Sequence, residues 1–102
     1  MRKFLTLVWN GPRAGSRREM AAPIAAEALG ANGAWYSTDS GYNPDGVYEA
    51  RVTFTYESGC GLWRRVSDVL KAAHLQPNGV HSWPFNSAYR HDKVPQPQTV
   101  PF

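Results

Sequence analysis

Alternating apolar and polar positions mark two or three stretches of this chain, and helical spacing marks two others, which together predict the order β-α-β-β-α. Residues 3–9 form a first strand, with Leu5, Leu7 and Trp9 on one side and Phe4, Thr6 and Val8 on the other. Asn10-Gly11-Pro12 ends it. Ser16 with Glu19 three residues on has the pattern of a capping box, so a first helix is expected from Ser16 to about Leu29, closed by Gly30. Pro23 falls inside that span, where it either kinks the helix or marks its true first turn.

Asn43-Pro44-Asp45-Gly46 is a type I turn sequence with a glycine placed for a bulge, joining strands over Ala34–Tyr42 and Val47–Glu57. The second of these puts Tyr48, Ala50, Val52, Phe54 and Tyr56 on one face and Glu49, Arg51, Thr53, Thr55 and Glu57 on the other. A bulged turn sets Asp39 opposite Arg51 and sends Tyr42, Tyr36 and Ala34 to the apolar face, whereas a tighter turn reverses the first strand. The bulged register is preferred, because it pairs opposite charges and turns more rings inward. After Gly59-Cys60-Gly61 a second helix is expected from Leu62 to Leu75, with Leu62, Val66, Val69, Leu70 and Ala73 as its apolar stripe. Val80–Phe85 is a short last strand that Pro84 would confine to a sheet edge, and Val94–Phe102 is a proline-rich extended tail. The expected fold is α+β: one domain over 1–93, a two-layer β-α-β-β-α-(β) ferredoxin-like sandwich with both helices on one face of an antiparallel sheet.

Length supports that reading, since 102 residues bury one core and no more. Four Trp, five Tyr and four Phe must supply much of its volume. The single cysteine excludes an internal disulfide and points to a reducing, cytoplasmic setting. No apolar run has the length of a signal-peptide core or a membrane span, so no membrane partner is expected. The formal net charge of +3 permits an acidic protein surface or a nucleic acid as partner and requires neither.

Motifs for catalysis are sparse. The loop Asn10-Gly11-Pro12-Arg13-Ala14-Gly15-Ser16-Arg17-Arg18 could aim backbone N–H groups and three arginines at an anion, yet it lacks the Lys-Ser/Thr ending of a phosphate-binding loop and the dinucleotide spacing. Base stacking in the manner of RNA recognition modules is disfavoured, because the rings of the third strand share a face with Val52 and Ala50. His74, His81 and His91 form no metal-ligand spacing, and Cys60 between two glycines has no second thiol near it, so no metal or cofactor is expected. Cys60 is read as a small residue in a tight turn.

Trp35, Trp63, Trp83, Phe85, Tyr89 and Phe102 exceed what a two-helix sandwich can bury. Trp83, Phe85 and the tail are expected to cover the open sheet face, and the remainder, with arginine, has the composition of a protein-contact surface. In size and make-up the chain is similar to the small phage-encoded inhibitors of bacterial defence, the anti-CRISPR proteins among them, which implies a non-enzymatic protein acting by contact. The expected contact residues are Arg13, Arg17, Arg18, Trp35, Arg64 and Arg65. A nucleic-acid-binding regulator using the same arginines is the alternative, and a small enzyme acting on an anion at Gly11–Arg18 the second.

Overall fold

The computed structural model describes residues 2–59, 61–84 and 98–99. Along them run β1 (Arg2–Asn10), α1 (Ala14–Leu29), a 3-10 turn (Gly30–Asn32), β2 (Gly33–Tyr42), β3 (Tyr48–Glu57), α2 (Leu62–Ala72), β4 (Gly79–Pro84) and β5 (Gln98–Thr99). The strands lie in the order β2-β3-β1-β4-β5, and every neighbouring pair is antiparallel. The fold is therefore α+β, a four-stranded antiparallel sheet extended at β4 by the two residues of β5, with two helices packed on it. Phe85, Tyr89 and Phe102, and most of the tail from Val94, lie outside the described residues, as does Cys60.

Between sheet and helices, Leu5, Leu7 and Trp9 of β1, Ala50, Val52, Phe54 and Tyr56 of β3 and Val80 of β4 meet Ala14, Ala21, Ala25 and Leu29 of α1 and Leu62, Val66 and Leu70 of α2. Three of the four buried α1 positions are alanine, so this helix lies close to the sheet and the bulk comes from the strands. Phe54 is 1% exposed. The inward orientation expected for the third strand's rings is what the fold has.

Trp9, the largest fully buried side chain, donates its indole N–H to the carbonyl of Leu75 at 3.0 Å. That carbonyl is presented by the way α2 ends. His74 adopts a left-handed φ of 57°. Its N–H then bonds Lys71 O at 3.1 Å while that of Leu75 bonds Leu70 O at 2.9 Å, the paired closure typical of helix C-termini.

Three expectations require correction. The first helix begins at Ala14, not Ser16: Ala14 N–H bonds Gly11 O at 3.1 Å and Arg17 N–H bonds Arg13 O at 3.0 Å, a turn that starts the helix before the hydroxyl arrives. Ser16 donates back to Arg13 O at 3.2 Å and caps nothing. Pro23 lies inside a helix that continues past it. Its missing N–H removes the usual i+4 donor to the Glu19 carbonyl, on an exposed side of the helix.

The second correction concerns the face of β2. Asp39 does pair with Arg51, as the bulged turn requires, and Tyr42 faces Tyr48 on the helix side. Pairing then slips between Trp35 and Ser37, leaving Tyr36 as an extra residue. Below that bulge the phase reverses: Trp35 takes the helix side opposite Phe54, while Ala34, opposite Thr55, and Tyr36 go to the other face.

The third correction is to the last strand. β4 is Gly79–Pro84 and is flanked on both sides, by β1 and by β5. Among the described residues β5 pairs only with His81 and Ser82, and Pro84 ends the strand opposite Lys3 of β1.

Candidate protein-contact surface

The sheet face away from the helices carries its own packed layer. Phe4 stacks on Trp83 with ring centroids 5.2 Å apart and meets Tyr36 edge-on at 4.8 Å. Trp83 thus helps to cover this face, as expected. Beside the rings, the hydroxyls of Thr6 and Thr53 share a 2.7 Å hydrogen bond, and both residues are buried. Arg51 gives Nε and Nη2 to the Asp39 carboxylate at 2.9 and 3.2 Å and Nη1 to Glu49 at 2.9 Å, which holds its own charge more firmly than usual. His81 lies opposite Thr6 on the same face. Burial pushes its imidazole below the usual histidine range, Glu49 opposing the fall and Arg51 adding to it. Among the described residues its buried Nδ1 has no hydrogen-bond partner.

The six residues singled out from sequence fall into three places. Arg13 is exposed at the start of α1, and Arg17, one turn on, donates to the Gln76 carbonyl at 3.4 Å. Both stand at the end of the sheet that holds the β2–β3 turn, because Gly11 N–H bonds Tyr48 O at 2.9 Å. Arg18 points the other way round the helix, toward β2. Its side chain is only 16% exposed, with Nη1 on the Asp39 carbonyl at 2.9 Å and Nη2 on Glu19 at 3.0 Å. Trp35, on the helix side of β2, is 62% exposed. Arg64 and Arg65 open α2 at the opposite end of the molecule, where Arg65 lines a groove of about 330 Å³ with Ile24, Glu27, Ala28 and Val69.

The structure therefore brings Arg18 and Trp35 to one side, the α1–β2 flank, while Arg64 and Arg65 begin α2 at the end of the sheet away from the β2–β3 turn. The loop Gly11–Arg18 does not converge on an anion: Arg17 and Arg18 are spent on Gln76, Asp39 and Glu19, in different directions. The flank also holds Tyr42, 76% exposed and edge-on to Tyr48 at 5.5 Å, which the sequence alone assigns to the inward rings. Its position at the mouth of the turn, beyond the end of the core, was the signal available. Trp63, counted among the surplus rings, packs against the core.

Among the described residues no group of three His, Cys, Asp or Glu could hold a metal ion, and no helix is long and apolar enough to cross a membrane. Set against protein-family models, curated proteins and solved structures, the chain matches none.

Proposed function

We propose that this chain is a non-enzymatic binding protein that works by occupying the surface of a partner protein, with the α1–β2 flank as the contact. The observation that carries the reading is Trp35, held 62% exposed on a strand while a neighbouring bulge fixes its direction. An exposed indole costs solubility and does nothing for the core, and tryptophan with arginine is the pairing that dominates protein interfaces. Tyr42 extends the same side, and Arg18 supplies a cation already held in place by hydrogen bonds, so little side-chain freedom is lost on contact. An inhibitor of host defence encoded by a phage, working in the cytoplasm, fits a domain of this size. The ferredoxin-like reading of the fold belongs with it, supported by β1 lying between β3 and β4 with both helices on one side.

The test is affinity capture from the source organism's lysate with the parent chain and three variants. Trp35→Ala and Arg18→Ala should each lose the captured protein. Met20→Ala should keep it, because Met20 is exposed but lies two residues beyond Arg18, about 200° round the helix. Equal capture by the parent and by Trp35→Ala removes the reading. Recovery of nucleic acid alone, weakening steeply with salt, would replace it by the nucleic-acid alternative.

A further inference from the structure

We infer that the outer edge of β2 pairs with the same edge of a second copy of the chain, about a two-fold axis at Ser40. The hydrogen bonds at the hairpin set which backbone groups are free to do this. Tyr48 turns its carbonyl toward β1, where Gly11 N–H takes it at 2.9 Å, and Asn43 N–H bonds Val47 O at 2.9 Å. In an antiparallel ladder the direction alternates, so Tyr42, opposite Tyr48, turns its own N–H and C=O away from β3. Ser40, opposite Ala50, and Thr38, opposite Val52, do the same. All three residues are exposed. Backbone donors and acceptors from each of them thus line one edge.

Native edges of this kind are usually blunted by Lys, Pro or an unpaired inward charge, and the stretch from Thr38 to Tyr42 has none. Its charge pattern fits a copy of itself. With Ser40 facing Ser40, Thr38 faces Tyr42 and Tyr42 faces Thr38, each pair exchanging two backbone hydrogen bonds. Asp39 then faces Gly41, so no carboxylate meets its like, and each Asp39 is already neutralised by Arg51 of its own chain. The exposed Tyr42 ring gains Thr38 of the other copy as a cross-strand neighbour. The Tyr36 bulge marks where the flat part of the edge stops.

Light scattering across a concentration series tests the pairing, since a weak dimer depends on protomer concentration. The parent chain, 11.4 kDa as a monomer, should approach twice that mass as concentration rises. Ser40→Lys places two like charges face to face at the axis and should raise the midpoint concentration about tenfold. Ser40→Asp should do likewise. An equimolar mixture of the two should return to the parent midpoint or below it, with circular dichroism confirming that each variant alone is folded. A parent that stays at monomer mass throughout overturns the inference, and so do folded variants that leave the midpoint unmoved or a mixture that fails to pair. Tyr42 lies in both this edge and the proposed contact flank, so scattering is read on the purified chain alone, where failure to pair leaves the capture result standing.

Discussion

At the scale of single residues, the open face of the sheet shows how polar side chains are buried without loss. Thr6 and Thr53 face each other across β1 and β3, and one hydroxyl donates to the other at 2.7 Å. Removing one leaves its partner dry and unbonded, so Thr6→Val or Thr53→Val should each cost about 1–2 kcal/mol. The double variant should lie close to the parent, because two apolar groups of the same shape replace the pair. Urea titrations of all four proteins close that cycle, and additive losses would show that the hydroxyls act separately. His81, next to them, makes a pH prediction. Its folded pKa lies below the unfolded value near 6.5, so the folded state binds a proton less readily. The stability this gives is fully present above pH 6.5 and is lost as pH falls through the folded pKa. Between pH 7.5 and pH 5 the melting temperature of the parent should therefore drop further than that of His81→Gln.

At the scale of elements, α1 is the part most open to improvement. Pro23 withholds an N–H from the middle of the helix and is itself exposed, so Pro23→Ala should stabilise the chain by roughly 1–3 kcal/mol. A rise in the urea midpoint with an unchanged slope is the expected result. The helix also shows where local sequence signals mislead. Ser16 and Glu19 satisfy the capping pattern, yet the Gly11–Ala14 turn starts the helix first and leaves both residues inside it. β3 and α2 were legible because each has one apolar face whose period matches its geometry, and β1 because an apolar run on both faces stops at Asn10-Gly11-Pro12. The hairpin was legible because Asn43 organises its own turn: its side-chain oxygen accepts from Asp45 N–H and Val47 N–H at 2.9 and 3.0 Å. The lower half of β2 was not, because an extra residue in a ladder leaves no mark in a strand of Ser, Thr, Gly and single rings. The candidate surface was readable to the same depth. Trp35 and Arg18 carry visible chemistry, but their meeting on one flank depends on the bulge and on the true start of α1.

At the scale of the whole molecule, the basic residues divide between two ends. Arg13 and Arg17 stand near the β2–β3 turn, while Arg64 and Arg65 begin α2, whose first turn holds no acid. Cations there oppose the helix dipole, so Arg64→Glu should raise stability by about 0.3–1 kcal/mol. Because Arg64 is not part of the proposed α1–β2 contact, the variant should also capture the same partner as the parent. Loss of capture together with a raised midpoint would move the contact from the α1–β2 flank to the α2 end.

The slipped residue at Tyr36 has a consequence for how such a chain could diverge. Pairing is in step on both sides of it, from Gly33 to Trp35 and again from Ser37 to Tyr42. A lineage could therefore lose that one residue and keep every other side chain on its present side, giving up the ring that leans on Phe4. Outside the Tyr36–Ser37 bulge, the same deletion would turn part of the strand inside out. Length variation in relatives of this chain should collect at that point.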